Sequence, residues 1–212
     1  MKGKTILAVS PHTDDAEIAA GGTIAKLVAE GCDVHYVALS ACEKSVPDKY
    51  PCDILRKEVK KATRALGIKP GNLQVMDFEV REFPRLRQEI LEALVTLEKK
   101  IKPDVVISPS SEDIHQDHLT TRNEVVRAFR KCTILGFEMP WDNIMFQTQG
   151  FVPLKEKHLR KKLKALSCYG SQMHRAYLSE EYIRGLALTR GMQIKQKYAE
   201  AFEVIRWVIT DV

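Results

Sequence analysis

The sequence predicts an α/β layer fold built on a mostly parallel β-sheet. Four short apolar runs alternate with longer segments whose apolar residues recur at helical spacing. The runs are continuously apolar rather than alternating, which is typical of strands buried on both faces of a parallel sheet. A length of 212 residues, without a linker or an internal repeat, indicates a single domain.

Strands and helices alternate regularly in the first part of the chain. The expected strands cover residues 5–9, 34–39, 73–76 and 105–108, and the expected helices cover residues 18–28, 54–66, 83–101 and 119–129. Gly31 and Gly67 follow the first two helices, where glycine commonly ends a helix. The third helix is expected to stop before Pro103, because the residue preceding a proline disfavours helical geometry.

Past Lys131 the alternation becomes less regular. We expect a strand at residues 134–137, helices at 154–169 and 180–190, and a strand-like tail at 202–209. Loops at 140–143 and 170–172 are expected to lean over a pocket. The sequence therefore predicts one domain over residues 1–212, with a core part at 1–131 and a substrate-loop and C-terminal part at 132–212.

Composition and charge exclude several classes of protein. With 44% hydrophobic and 29% charged residues, the chain resembles neither a disordered nor a membrane protein. No apolar run approaches the roughly 20 residues needed to span a bilayer. The N-terminus leads directly into a strand without a secretory signal, so we expect a cytoplasmic protein with no membrane span. The five cysteines include no C-x-x-C pair and are interpreted as buried or incidental thiols.

The net charge of +5 is concentrated in the basic stretch 155–164. This stretch is interpreted as a solvated helix face. The alternative is a basic rim that attracts an anionic substrate such as a nucleotide sugar or phospho-sugar. Nucleic acid is not expected as a partner, because the stretch lacks interleaved aromatic residues and no binding module is recognisable. A homo-oligomer is compatible with the sequence.

Two polar clusters are expected at the same edge of the sheet. His12, Asp14 and Asp15 follow the first predicted strand, and residues 112–118 follow the fourth. In open parallel sheets, ligands bind beyond the carboxyl ends of the strands. Imidazole and carboxylate groups that meet there can hold a divalent cation and take a proton from water bound to it.

A catalytic zinc usually takes three protein ligands and leaves one position open. His12, Asp15 and His118 supply such a set, two from the first cluster and one from the second. Asp14 then remains uncoordinated beside the metal and can act as general base. Zinc is the expected cofactor, although Fe²⁺, Mn²⁺ and Co²⁺ suit the same ligands.

Further residues complete the predicted site. His115, as an imidazolium, could stabilise an oxyanion or protonate a leaving amine. Asp117 is suited to orient a ring nitrogen of one of the histidines. Arg56 and Arg81 are candidates for contacts with substrate hydroxyl or phosphate groups, and Trp141 for contact with the apolar face of a sugar ring. For these three, an ordinary salt bridge or core role is the alternative.

Both clusters resemble the motifs of a known family. Residues 11–17, Pro-His-Thr-Asp-Asp-Ala-Glu, resemble the first motif of the PIG-L/LmbE-like zinc-dependent de-N-acetylases, and residues 115–118, His-Gln-Asp-His, resemble the second. Residues 55–59, 65–68 and 165–172 are similar to other family segments. The resemblance implies a Rossmann-like three-layer αβα fold and the removal of acetate from an N-acetylated amino sugar or its conjugate, as in N-acetylglucosaminyl deacetylases. It implies the same metal ligands, general base and stabilising histidine as above.

The first motif departs from the family pattern at two positions. Thr13 replaces the usual proline, and Ala16 precedes Glu17. The spacing from His12 to Asp15 is kept. We interpret Glu17 as a favourable charge near a helix N-terminus rather than as a catalytic residue.

The favoured prediction is therefore amide hydrolysis. A metal-dependent phosphoesterase is an alternative that would normally require a second cation and more bridging carboxylates. A Rossmann-like sugar- or nucleotide-sugar-binding protein without turnover is another. A nucleotide sugar, a thiol-sugar precursor and a chitooligosaccharide all present the same acetamide group as substrates.

Overall fold

The structure, a computed structural model, describes residues 1–209, in which one seven-stranded sheet forms the centre of the molecule. The strands, in chain order, are β1 (Thr5–Ser10), β2 (Asp33–Ala38), β3 (Leu73–Val75), β4 (Val105–Pro109), β5 (Thr133–Phe137), β6 (Gly150–Leu154) and β7 (Tyr198–Arg206). They lie in the order β3-β2-β1-β4-β5-β7-β6. The first five pair in parallel, whereas β7 runs antiparallel to both of its neighbours.

Helices cover both faces of the sheet. They are α1 (Asp15–Ala29), α2 (Ile54–Leu66), α3 (Arg87–Ile101), α4 (Gln116–Ala128), α5 (Glu156–Leu166) and α6 (Glu180–Gln193). Helices α1, α2 and α5 pack together over one face, and α3 packs with α4 over the other. Successive residues of β1 enter the two cores in turn, Ile6 on one side and Leu7 on the other. The predicted α/β fold with a mostly parallel sheet in three layers is confirmed.

Three of the first four helices begin at residues other than those predicted, and the first of them, α1, begins at Asp15 rather than at residue 18. Helix α3 begins at Arg87 rather than at residue 83. Phe83 lies in the irregular loop before the helix, because its own backbone N–H donates to Asp117. Helix α4 begins at Gln116 rather than at residue 119. The side chain of His115 caps this helix, since its Nδ1 accepts from the Asp117 N–H at 3.2 Å.

The last third of the chain differs more from the prediction. Residues 150–154 form the edge strand β6, so α5 begins at Glu156 and ends at Leu166 rather than covering residues 154–169. Pro153 is tolerated in β6 because an edge strand needs fewer backbone donors. Strand β7 begins at residue 198, four residues before its predicted start, and residues 210–212 lie outside the described part. The sheet continues past residue 131, so the predicted core and C-terminal parts share it.

The topology places the two polar clusters in one crevice. Strand β1 has β2 on one side and β4 on the other, so the chain order reverses direction between β1 and β4. Ligands bind at such reversals, beyond the carboxyl ends of the strands. The loop after β1 carries the first cluster, and the loop after β4 with the start of α4 carries the second. No helix within residues 1–209 combines the length and apolar character needed to cross a membrane.

Two glycines of α6 test how closely this helix packs on the segment just before β7. A Cβ atom on Gly191 would lie 2.6 Å from the Gln196 carbonyl oxygen, whereas one on Gly185 would meet nothing within 4 Å. We expect Gly191→Ala to lower the free energy of unfolding by about 1–3 kcal/mol. Gly185→Ala should raise it by about 0.5–1 kcal/mol, because alanine favours a helix interior. Urea unfolding measures both, and equal effects would contradict the close packing.

Candidate functional site

The loop after β1 is closed by its own hydrogen bonds. The backbone N–H of His12 donates to Asp15 Oδ2 at 2.9 Å, and the N–H of Ala16 donates to Ser10 Oγ at 3.1 Å. Asp14 is the N-terminal capping residue of α1, but its side chain makes no capping hydrogen bond. The loop therefore brings His12 and Asp15 together and leaves the Asp14 carboxylate unengaged in capping.

Three donor atoms form a nearly equilateral triangle at the bottom of the crevice. His12 Nδ1 lies 3.2 Å from Asp15 Oδ2, His118 Nε2 lies 3.3 Å from the same oxygen, and the two ring nitrogens are 3.3 Å apart. Ligands at 2.0–2.1 Å from a tetrahedral zinc ion lie about 3.3 Å from one another. The residues present therefore fit a divalent cation without rearrangement.

Two other groups of side chains also approach one another closely. His12, His115 and His118 each offer a ring nitrogen within 4.8 Å of the others, and so do atoms of Asp113, His118 and Asp142. We favour the triangle with Asp15 because its three atoms lie 3.2–3.3 Å apart, which is close to the spacing of ligands around a tetrahedral ion. His115 Nδ1 accepts a backbone hydrogen bond, and Asp113 binds the opposite nitrogen of His118.

Buried carboxylates fix both imidazoles of the triangle. Asp117 Oδ2 lies 3.0 Å from His12 Nε2, and Asp113 Oδ2 lies 2.8 Å from His118 Nδ1. A carboxylate that accepts from one ring nitrogen leaves the lone pair of the other directed at the metal. Asp113 also accepts from the backbone N–H of His115 at 2.9 Å. Each histidine is thus oriented towards the centre of the triangle.

The electrostatics of the cluster are dominated by burial and by mutual attraction. Burial lowers the pKa of His12, but Asp15 and Asp117 raise it more, to about 9. Burial raises the pKa of Asp15, yet His118 and His12 bring it well below its usual value. The pKa of His118 is raised well above its usual value, because Asp15 and Asp113 outweigh burial. A cation at this position would displace the protons that these attractions retain.

Asp14 stands beside the triangle with a different environment. It lines the cavity next to His12 and Asp15, and burial together with the Asp15 charge raises its pKa to about 6. A carboxylate without a capping hydrogen bond can accept a proton from a molecule in the cavity. The structure thus separates Asp14 from Asp15, whose Oδ2 faces both ligand imidazoles.

His115 also lines the cavity, and its ring stacks on His118 with centroids 4.5 Å apart. Since its Nδ1 accepts from the Asp117 N–H, the ring is neutral and its proton sits on Nε2. Burial, together with the neighbouring imidazoles of His118 and His12, lowers the pKa of His115, which also favours the neutral ring. This corrects the expected imidazolium, because a charged ring cannot accept that hydrogen bond.

The cavity above these residues has a volume of about 320 Å³. Trp141 and Arg81, two of the predicted candidates for substrate contacts, line this cavity. Trp141 stacks on Tyr177 with centroids 4.1 Å apart and an interplanar angle of 12°, and remains 38% exposed. The loops predicted to lean over a pocket contribute Trp141, Asp142 and Gln172 to its wall.

Arg56, a predicted candidate for substrate contacts, does not line this cavity. Its Nε donates to Glu43 at 2.9 Å, and its Nη2 donates to Asp77. These two carboxylates hold the guanidinium over two neighbouring cavities instead. The alternative considered from the sequence, an ordinary salt bridge, is what the structure shows.

Glu17 is fully buried rather than a charge at the helix N-terminus. It accepts hydrogen bonds from the hydroxyls of Tyr36 and Tyr169, the latter at 2.7 Å. Burial raises the pKa of Glu17 to about 8, which corrects its interpretation as a favourable helix-end charge. Both tyrosine hydroxyls also approach the carbonyl oxygen of Thr13, so this buried cluster supports the loop after β1.

Comparison with known proteins identifies the family. The family described as PIG-L, GlcNAc-PI de-N-acetylase, matches residues 7–129, which include both motifs. The chain belongs to this family. The match covers β1 through α4, so it contains every residue of the donor triangle.

Relatives of this de-N-acetylase family resemble nearly the whole chain. Diacetylchitobiose deacetylase of Thermococcus kodakarensis is 28% identical over 95% of this chain and 83% of its own length. 4-Oxalmesaconate hydratase of Pseudomonas putida is 26% identical over 91% of this chain and 82% of its own length. The structure of N,N'-diacetylchitobiose deacetylase from Pyrococcus horikoshii superposes with a TM-score of 0.76 at 22% identity, covering 95% of this chain and 84% of that one.

Several residues of the site and its cavity were not found by sequence reasoning. Asp113 carries a detectable signal, a carboxylate five residues before His118 at the end of a strand. Arg175 and Tyr177 carry none, because they lie outside any motif and outside the part matched by the family. The segment 165–172, similar to the family's later motif, is held by Glu58, which accepts from Ser171 Oγ at 2.6 Å.

Asp113→Asn tests the orientation of His118. An amide can accept from only one of the two donors that Asp113 now satisfies, so His118 should be held less firmly. We expect metal affinity to fall by about 10–100-fold. Competition with a chromogenic chelator measures the affinity, and Asp77→Asn, an exposed carboxylate paired with Arg56, is the matched control. Equal affinities for the two variants would contradict the assigned role of Asp113.

Proposed function

We propose that this protein is a metal-dependent hydrolase that removes the acetyl group from an N-acetylated amino sugar or its conjugate. The observation that carries the proposal is the triangle of His12, Asp15 and His118 with the Asp14 carboxylate unengaged beside it. Membership of the de-N-acetylase family and similarity to diacetylchitobiose deacetylase support it.

The proposed metal ligands are His12 Nδ1, Asp15 Oδ2 and His118 Nε2. These residues would hold a divalent cation, which would supply polarisation of the acetamide carbonyl and a lowered pKa of water, towards about 7. Zinc is proposed on the basis of the donor set, two imidazoles and one carboxylate at tetrahedral spacing. Fe²⁺, Mn²⁺ and Co²⁺ are compatible with the same donors.

Asp14 is proposed to move the proton. Its carboxylate takes a proton from the attacking water and then delivers it to the nitrogen of the departing amine, as the carbon–nitrogen bond breaks. The products are acetate and the free amino sugar, so one water molecule is consumed in each turnover. General base catalysis of this kind contributes typically about 10²–10⁴-fold to the rate.

His115 is proposed to stabilise the developing negative charge. With Nδ1 engaged by the backbone of α4, the Nε2–H is left to donate to the carbonyl oxygen of the substrate. Removal of a single donor of this type costs about 10²–10³-fold in rate in enzymes of acyl transfer. Asp117 supports the arrangement by holding His12, and Asp113 supports it by holding His118.

The C-terminal part of the chain is proposed to bind the sugar. Trp141 presents a partly exposed aromatic face backed by Tyr177, and such faces pack against the apolar side of a sugar ring. We propose a single LmbE-like domain over residues 1–212. Residues 1–131 supply the metal site and part of the cavity wall, including Arg81, and residues 132–212 supply the rest of the wall, including Trp141 and Tyr177.

Similarity to 4-oxalmesaconate hydratase favours a second candidate function, the hydration of an unsaturated carboxylate. Both reactions begin with water activated in the same cavity, and they differ in the substrate attacked. Acetate release from a panel of N-acetylated sugars, followed by mass spectrometry, tests the first. Loss of ultraviolet absorbance from 4-oxalmesaconate tests the second, because hydration removes a conjugated double bond.

Two variants separate the proposed roles of metal ligand and base. Asp14→Asn should lower acetate release by about 10²–10⁴-fold while retaining metal, because it removes the base but leaves the triangle intact. His12→Ala should lose both activity and metal. Activity assays together with metal analysis of the purified variants measure this. Complete metal loss in Asp14→Asn would mean that the two aspartates have the opposite roles.

Metal removal tests the proposal without mutation. Dialysis against a chelator should abolish acetate release, because the polarisation of the amide is then lost. Addition of one equivalent of Zn²⁺, Co²⁺, Mn²⁺ or Fe²⁺ should restore it to different degrees. Activity that persists in protein shown by elemental analysis to be metal-free would contradict a metal-dependent hydrolase.

A further inference from the structure

Two arginines line the catalytic cavity without a carboxylate partner. These are Arg81 and Arg175. Within residues 1–209, the arginines that form ion pairs are Arg56, Arg85, Arg87, Arg127, Arg160, Arg184 and Arg190. Neither cavity arginine is among them, so both positive charges are available to a ligand.

The guanidinium of Arg175 is held in place from beneath. Its Nε donates to Gln172 Oε1 at 2.7 Å, and its Nη1 donates to the Tyr177 hydroxyl at 2.5 Å. The buried Gln172 in turn donates to Ser171 Oγ, which donates to the buried carboxylate of Glu58. Among residues 1–209, Nη2 makes no hydrogen bond. A side chain fixed in this way loses little conformational entropy when it binds a ligand.

Arg81 is fixed through its backbone. It has a φ of 71°, which a non-glycine residue rarely adopts and which often marks a functional site. Its N–H donates to Asp117 at 2.6 Å, and its carbonyl accepts from the Gln116 side chain at 2.6 Å. Its Nη2 donates to Ser45 Oγ at 3.2 Å. The carboxylate that orients His12 therefore also places an arginine at the cavity.

The charges lining the cavity indicate which ligands it favours. Its carboxylates are Asp14, Asp15 and Asp142, and its permanently charged cations are the two arginines. Asp117 and Asp113, which bind the imidazoles of His12 and His118, add two further negative charges beside the cavity, and the proposed divalent cation would add two positive ones. The carboxylates gather around the His12 and His118 imidazoles, whereas neither arginine forms an ion pair with any of them, so the two guanidinium groups are the part of the cavity that attracts an anion.

We propose that the amino sugar substrate carries an anionic group, a phosphate or a carboxylate, which Arg81 and Arg175 bind. This inference rests on the proposed function and names a narrower class of substrate for it. Guanidinium groups bind both kinds of anion through paired N–H donors. Trp141 holds the sugar ring while the arginines select its acidic substituent.

Steady-state kinetics on matched substrates tests the proposal. The neutral substrate is N-acetylglucosamine, and the anionic ones are its 1-phosphate, its 6-phosphate and N-acetylmuramic acid, which separate phosphate from carboxylate. We expect kcat/KM of wild-type protein to be at least about 10-fold higher for one anionic sugar than for the neutral one, which corresponds to about 1.4 kcal/mol. Arg81→Gln and Arg175→Gln should each lower this ratio, mainly through KM, and the double variant should bring it to within about 2-fold.

The matched control is Arg85→Gln. Arg85 lies in the same loop as Arg81, pairs with Glu82 and does not line the cavity, so the ratio should be unchanged. Binding of the reaction products gives a readout that is independent of turnover. In NMR titrations, phosphorylated or lactyl-substituted glucosamines should bind wild-type protein more tightly than glucosamine does, and this preference should disappear in the double variant.

The outcomes separate this proposal from the proposed function. Equal kcat/KM for neutral and anionic sugars, or a ratio that survives in the double variant, would overturn the anionic substrate while acetate release still supports the hydrolase. Failure to release acetate from any sugar would count against the hydrolase. The product titrations would then test on their own whether Arg81 and Arg175 form an anion site. Equal binding of glucosamine and its anionic derivatives would overturn that site.

Discussion

The contact between Asp117 and His12 holds the two halves of the site together. These residues are 105 positions apart in the chain, and the carboxylate is fully buried. A buried carboxylate is strongly disfavoured unless its oxygens are satisfied. Asp117 meets this requirement by accepting from His12, Arg81 and Phe83. One side chain at the start of α4 therefore fixes the loop after β1 and the irregular loop before α3.

The remaining contacts repeat this principle in the same crevice. Asp113 binds the ring of His118 and the backbone of His115, and Asp15 accepts from the His12 N–H while its Oδ2 faces both ligand imidazoles. The imidazoles and carboxylates of the site are buried close to one another, and a bound cation would balance the negative charge of the carboxylates. Binding of a ligand to the folded state alone stabilises that state, by about 2.7 kcal/mol at a hundredfold excess over Kd. A cation bound at this position would therefore also stabilise the fold.

Much of this arrangement follows from the sequence because its causes are local or periodic. The continuous apolar runs predict buried parallel strands, and Gly67 marks the end of α2 as predicted, with a φ of 97°. Since parallel strands end at one edge, the positions of His12 and His118 after the first and fourth strands predict that they meet. The spacing of His12 and Asp15 on one short loop gives two of the three atoms of the triangle.

The parts that could not be predicted depend on contacts between distant segments. Residues 150–154 form a strand only because β7 pairs with them, and α3 starts late because Phe83 is drawn to Asp117. The ion pairs of Arg56 with Glu43 and Asp77 likewise join segments that are distant in the chain. Arg175 enters the cavity through a chain of hydrogen bonds that begins at Glu58, 117 positions earlier. None of these partners is visible in local patterns.

A crystal structure of the zinc-loaded protein, with the metal located by anomalous diffraction at the zinc edge, tests the central claim most directly. The arrangement of donors predicts one cation bound by His12 Nδ1, Asp15 Oδ2 and His118 Nε2 at about 2.0–2.2 Å, with Asp14 and His115 outside the coordination sphere. A cation held by Asp113 and Asp142, or one in which His115 replaces Asp15, would contradict it.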